Sequence, residues 1–513
     1  MKKTYGVCFG MLAMGLAIIG VPAGRAQSRM EAAGAGGATE ATTTSEAAAP
    51  APSSPADLDK RIEALESELT ELKTELEAKK TEEAAAPAPA PAVVATPAVA
   101  APQDKPADKI TVASLLGPTS VSGFVDGYYQ VNFNHPDTTT PSFYPGAGFR
   151  VFDFQDKSIN LNMAELILDK APASDTAIGR TGYHVSLGYG DGMDVYGSFD
   201  PNNGTQFLLK EAYASYLAPV GKGLQVDFGK FVTPMGAEVV ESKDNWNYSR
   251  SILFGYAIPF YHFGLRAKYA FNDKYTLTGF LVNGWNNVTD NNAGKTYGFS
   301  LVANPTKQWM YSISYLAGPE TTSGSFGTNA AETMPIGVDG KWRQTWDSVA
   351  MYTPNSQWSF MANFDYGRGD RVCLNCSFYS ATDSPTFSDP VRWWGIAGYA
   401  KYSPDANDYL AVRYEYYDDP DGFTGTSSIP SELYDNIPST SLNAFGGVKN
   451  LHFNEVTATY QRTIASYLLT RFEYRHDMSD FPVFALSTFP TGVKSQNTAS
   501  VSMILLFDSR NAK

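Results

Sequence analysis

The sequence predicts an all-β fold, a transmembrane antiparallel β-barrel of about 16 strands, preceded by a short N-terminal α-helical coiled coil. Three observations predict it. Between residues 118 and 508 the chain repeats segments of alternating apolar and polar side chains, each near the nine to eleven residues that cross a bilayer at a tilt. The connections alternate between short turns and long loops. Tyrosine and phenylalanine number 30 each without long apolar runs, which suits strands that meet a membrane interface.

Residues 1–26 read as a secretory signal, with Lys2 and Lys3, an apolar run from Val7 to Val21, and Gly24, Arg25 and Ala26 at the cleavage site. No later segment reaches the roughly 18 continuous apolar residues of a spanning helix. Residues 27–56 are Ala, Gly, Pro and Ser with few large apolar side chains and are expected to be a linker. In 57–83, Leu58, Ile62, Leu65, Leu69, Leu72 and Leu76 step by four and three, a heptad seam flanked by Glu and Lys. A stripe that narrow has no core nearby, so chain association is expected. Its mixture of Ile and Leu does not choose between two and three strands. Residues 84–109 return to Ala and Pro, a spacer that extends about 3.1 Å per residue. The coiled coil could thus reach toward the cell wall, and a barrel-anchored tether between outer membrane and wall is the alternative to a channel.

From Ser120 the strands follow one another. Val121, Val125 and Tyr129 oppose Ser122, Asp126 and Gln130; Trp358, Phe360, Phe364 and Tyr366 oppose Asn363 and Asp365. Leu410, Val412 and Tyr414 oppose Arg413 and Glu415, and Leu468, Phe472 and Tyr474 oppose Arg471, Glu473 and Arg475. The last strand sets Val501, Met503 and Leu505 against Ser500 and Ser502. Short turns at 219–223, 272–274 and 463–466 alternate with long connections at 135–157, 233–258 and 419–450. A soluble sandwich would bury its apolar face against another layer and needs no such asymmetry. One strand conflicts with the pattern: Leu161, Met163 and Ile167 share a face with Glu165. A carboxylate in lipid is costly, so a bulge or a change of face is expected there.

The segment 233–258 is far longer than a hairpin needs and carries Glu238, Glu241, Asp244 and Arg250. A loop of that length is functional or disordered, and in a closed wall it can fold inward and narrow the opening. With the wet-face charges Arg266, Lys268, Arg413, Glu415, Arg471, Glu473 and Arg475 it makes the candidate pore lining, which would set selectivity through radius and charge.

Only Cys373 and Cys376 follow the signal. They sit among Gly, Asp, Ser and Thr, which suits a loop-bracing disulfide outside the cytosol. Zinc would need about four ligands, and no second pair completes a set. The formal net charge of −14 excludes a general affinity for nucleic acid. His184, His262, His452 and His476 come with no nucleophile motif, so no enzymatic activity, cofactor or metal is expected. A surface adhesin using the long loops is a further class.

The runs GKFVTPMGAEVVES and NYSRSILFGYAIPFYHFG, with the opening GFVDGYYQVNFNHP and the run INLNMAELILDK, resemble the OmpL-like β-barrel porins, the second β-barrel porin family. The resemblance covers Val121 to Phe507 and implies a bacterial outer-membrane barrel through which small hydrophilic solutes diffuse, with lipid as its surroundings. The coiled coil is similar to the periplasmic extension of trimeric sugar porins. That likeness implies a homotrimer, joined through barrel and coiled coil, with the N-terminal segment in the periplasm.

Overall fold

The computed structural model describes residues 117–136, 148–173, 176–198, 209–290, 294–320, 342–369, 390–424, 448–487 and 491–511, with 433, 437–438 and 441. All belong to the compact unit Lys105–Lys513. The expected signal, linker, spacer, heptad seam and the Cys373 and Cys376 pair lie outside the described residues.

The apolar and polar alternation does produce strands, and they close on themselves. The wall comprises β1 (Ser120–Asn132), β2 (Ile159–Lys170), β3 (Thr181–Tyr189), β4 (Leu209–Ala218), β5 (Leu224–Val232), β6 (Tyr261–Ala270), β7 (Tyr275–Val282) and β8 (Thr296–Ala303). It continues through β9 (Trp309–Pro319), β10 (Trp342–Tyr352), β11 (Trp358–Gly369), β12 (Val391–Tyr402), β13 (Asp408–Asp419), β14 (Leu451–Ile464), β15 (Leu468–Ser479) and β16 (Ser495–Asp508). Each strand pairs antiparallel with its sequence neighbour, and the first pairs with the last from Ser122↔Asp508 to Asn132↔Thr498, which seals the barrel. Among the described residues no helix is long and apolar enough to cross a membrane; strands do the crossing, as the sequence predicts.

The two faces are inverted relative to a soluble protein. Val125, Leu265, Val412, Phe472, Tyr474, Val501 and Met503 point outward and are exposed, while Asp126, Asp227, Arg413, Glu455, Arg475 and Asp477 point inward and are buried. Wall residues of period two can satisfy this only with hydrocarbon outside.

Glu165 obeys the same rule because β2 carries the expected irregularity. The register against β1 jumps from Asp126↔Met163 to Gly127↔Leu161, leaving Asn162 as the extra residue. The bulge turns both Asn162 and Met163 inward and returns Glu165 to the lumen side, where it is 3% exposed. Gly229 and Gly264 face each other across β5 and β6 just below the long loop, with φ of +141° and +159°. A Cβ at either would stand 2.1 Å or 2.3 Å from the carbonyl oxygen of Ala212 or Leu281, so only glycine lets the sheet curl there.

The sequence did not foretell three elements inside the long connections. These are α1 (Asp191–Ser198), α2 (Ile252–Tyr256) and a short hairpin pairing Phe484–Ala485 with Gly492–Val493. All are short, and their apolar residues follow no sustained period.

The orientation of the wall gives a direct test. Replacing outward Val501, which is 46% exposed at the centre of β16, by Arg should destabilise the barrel by about 2–4 kcal/mol at the bilayer midplane. Equilibrium unfolding in lipid vesicles measures this, and Ser502→Arg on the opposite face should show a different dependence on lipid thickness.

Candidate functional site in the barrel lumen

The connection between β5 and β6 packs onto inward-facing residues of the wall. Its path begins with the Thr233 amide donating to the Phe260 carbonyl at 2.9 Å, which clamps the two ends of the loop together. A buried loop brings unpaired backbone groups with it, and side chains of the wall supply the partners.

Glu473 accepts the Tyr248 and Ser249 amides at 2.6 and 3.0 Å and the Thr459 hydroxyl at 2.6 Å. Glu415 accepts the Ile252 and Leu253 amides at 2.7 and 2.9 Å, and Ser251 Oγ accepts the Phe254 amide at 2.9 Å. Together they satisfy the start of α2. Arg471 donates to the carbonyls of Ser242 and Asn245 at 2.6 and 2.9 Å, and to Gln461 at 2.7 Å. Arg475 donates to the Arg250 carbonyl at 2.5 Å and to Asp477 at 2.7 Å. Trp393 Nε1 donates to the Ala257 carbonyl at 3.0 Å, and the Ala237 amide donates to Asn363 at 3.2 Å.

The charges form two rows on β13, β14 and β15. Glu415, Glu455 and Asp477 lie side by side in register, and Arg413, Thr457 and Arg475 make the next row. Arg413 bonds Glu455 at 2.9 Å and reaches the loop through Glu238 at 2.6 Å and the Ser249 carbonyl at 2.7 Å. The sequence makes Arg413 and Glu238 separate candidates for the pore lining; in the structure they touch.

The remaining predicted residues separate. Glu241 pairs with Lys210, which also meets Glu165 at 3.1 Å. Burial pushes the Glu241 carboxyl up, but the Lys210 charge outweighs it and holds the group below the ordinary glutamate range. Asp244 pairs with its neighbour Lys243 at 2.5 Å and is 55% exposed. Arg250 donates to the Tyr248 carbonyl at 2.9 Å and lies 4.9 Å over the Phe152 ring. Arg266 pairs with Asp227 at 2.9 Å. Lys268 is exposed and makes no ion pair among the described residues.

Reading the sequence missed Lys210, Glu455 and Asp477, and placed Asp126 on the wet face without making it a site residue. Asp126 takes the Ser242 hydroxyl at 2.6 Å and the Tyr248 hydroxyl at 3.1 Å. Asp477 lies between Arg475 and Arg150, the latter from the β1–β2 connection. The alternation of Glu455 with Val456 was a usable signal; the partners of Lys210 come from β2 and the long loop, far from it and from each other in sequence.

Above the charge rows the interior is apolar. Phe149 lies 4.4 Å from Phe453, and Phe254 lies 5.3 Å from Phe260, the latter 5.5 Å from Phe152. The four histidines are dispersed: His184 bonds Asp169, His262 the Gly284 carbonyl, His452 Asp480 and His476 Asn497. Among the described residues no group of three or more His, Cys, Asp and Glu is arranged to hold a metal.

A sealed barrel with an apolar exterior, a charged interior and a loop folded against the inner wall defines a membrane-spanning protein of the porin class. Residues 118–507 match the family described as "Putative beta-barrel porin-2, OmpL-like". The chain belongs to that family, and family and fold together place it in the outer membrane as a channel-type barrel. No curated protein matches the chain. Among solved structures, in-vitro folded OmpT, an outer membrane protein of Vibrio cholerae, is similar at 10% identity and a TM-score of 0.45, over 76% of this chain and 97% of that one. OprB of Pseudomonas putida at high pH gives 12%, 0.44, 76% and 94%, and Salmonella typhi OmpF in complex with daunomycin gives 12%, 0.43, 76% and 97%.

The lumen network predicts an asymmetry between two arginines. Arg413→Met would strand Glu238 without its cation and leave Glu455 only Arg475, at 3.7 Å, and should cost about 3–5 kcal/mol, as removing one member of a buried pair does. Arg462→Met, at the exposed pair with Asp408, should leave stability nearly unchanged. Urea midpoints of the two variants in the same lipid check both.

Proposed function

We propose that the chain is a porin for passive diffusion of small hydrophilic solutes through an aqueous lumen narrowed by the loop 233–258. The supporting observation is the division of the inner wall. Loop residues bind the inward side chains of β13, β14 and β15, whereas inward Lys268, Thr276, Thr278 and Ser312 on β6, β7 and β9 stay open or partly open to solvent. A charged arc holding the loop and a hydroxyl-bearing arc left wet together make a water path beside the loop rather than through it. The candidates Glu238, Glu241, Asp244, Arg250, Arg266, Lys268, Arg413, Glu415, Arg471, Glu473 and Arg475 then divide into those that anchor the loop and those that line the path.

The same reading includes a homotrimer associated through the barrel and the heptad seam of Leu58, Ile62, Leu65, Leu69, Leu72 and Leu76. The coiled coil would sit in the periplasm, and Cys373 and Cys376 would brace a loop on the other side. The regular heptad spacing supports the association.

Purified full-length protein in a planar bilayer should give stepwise conductance. Replacing residues 238–254 by a short Gly and Ser linker should raise the single-channel conductance, because the loop would no longer occupy the lumen. An unchanged step size would take the loop out of the conduction path, and a silent wild type would remove the channel itself.

A further inference from the structure

We propose that the short-turn half of the lumen is an anion-attracting vestibule whose cations are Lys268, Lys401 and Arg471, so that the solutes favoured are small anions. The inference rests on the channel reading and adds a substrate class to it.

Inward charges near the short turns fall into two groups. The first is neutralised in place. Asp227 bonds Arg266 at 2.9 Å and also takes Ser215 and Gln225 at 2.7 and 2.9 Å. Asp244 bonds Lys243 at 2.5 Å, and Asp169, bonded to His184 at 3.0 Å, is cancelled while that imidazole is protonated. Glu473, whose bonds go to loop amides and the Thr459 hydroxyl, all neutral, keeps its charge and offsets one of the cations that follow.

The second group has no carboxylate. Lys268, on β6, is exposed and unpaired among the described residues. Lys401, on β12, lies 4.7 Å over the Trp246 ring and 5.5 Å from that of Tyr409, again without an acidic partner among the described residues. Arg471, on β15, is 1% exposed and donates to three backbone carbonyls and the Gln461 side chain, all of them neutral. Hydrogen bonds to neutral acceptors hold a guanidinium in place without cancelling its charge. The rim adds Lys222, Lys274 and Lys307 in the short turns, opposed by Asp273 and Asp405.

The excess positive charge therefore comes from three separate arcs of the wall. A narrow, low-dielectric conduit focuses such a field, and rings of Lys and Arg select anions in pores. The net charge of −14 over the whole chain does not oppose this, because selectivity follows the charge that lines the path.

The test is the reversal potential of the full-length protein in a planar bilayer under a potassium chloride gradient at low ionic strength, where screening is weakest. The wild type should prefer chloride. Lys268→Glu should move the reversal potential toward that of potassium, and the double variant Lys268→Glu, Lys401→Glu should move it further. Lys401 lies over the Trp246 ring of the loop, whereas Lys268 makes no ion pair or cation–π contact with the loop among the described residues, so Lys268→Glu carries the decision alone. Wild-type preference for potassium, or an unmoved potential in Lys268→Glu, would overturn the vestibule while leaving the channel intact. Silent bilayers from protein with native strand content by circular dichroism would overturn the channel reading and the vestibule with it.

Discussion

Hydrocarbon offers no partner to a peptide N–H or C=O, and that constraint sets the rest of this structure. A strand in lipid must bond on both edges, so the sheet can end only by joining its first strand to its last. Here β1 meets β16 over Ser122 to Asn132, and no edge remains in the wall. Once the wall closes, every second side chain faces lipid and the others face a lumen. The exposed Val125, Val412 and Met503 and the buried Asp126, Arg413 and Asp477 are two consequences of one closure. The Asn162 bulge follows from it as well: without the extra residue, the alternation would carry Glu165 into hydrocarbon.

Closure then creates the opposite difficulty inside. A loop that turns into the lumen takes its backbone groups out of bulk water without a neighbouring strand to pair them. The wall answers with charged side chains that can each accept or donate more than once. Glu473 and Glu415 take two loop amides each, while Arg471 gives to the loop carbonyls of Ser242, Lys243 and Asn245. Charge-assisted bonds of this kind are stronger than neutral ones, and the rows of Glu415, Glu455 and Asp477 against Arg413 and Arg475 compensate each other's desolvation. Higher in the barrel the loop needs no such help, since Phe254 and Phe260 pack on Phe152 as they would in any core.

The wall was legible in the sequence because one physical signal, period two, acts on every strand. Even the misfit at Glu165 was legible, since the cost of a charge in lipid shows where the period must break. The partners of the inward charges were not legible. Periodicity places Arg413 on the wet face, but whether it meets water or Glu238 depends on the path of a loop whose own residues follow no period. The same limit hid α2, five residues long, and Lys210, whose acidic neighbours Glu165 and Glu241 come from β2 and the long loop.

That limit bears on how pore selectivity is read from any barrel sequence. A wet-face charge enters the field along the path only to the extent that its neighbours leave it uncancelled. Arg413 contacts two carboxylates and Arg475 has three within 4 Å, so these buried guanidinium groups act as fasteners for the loop. Arg471 is as buried as they are, yet its bonds are to neutral atoms, so its charge is held in place and kept. The variable that separates a structural charge from a selective one is therefore the charge of its partners, not its own burial or its position on the strand. Two arginines on the same strand, four residues apart, fall on opposite sides of that division.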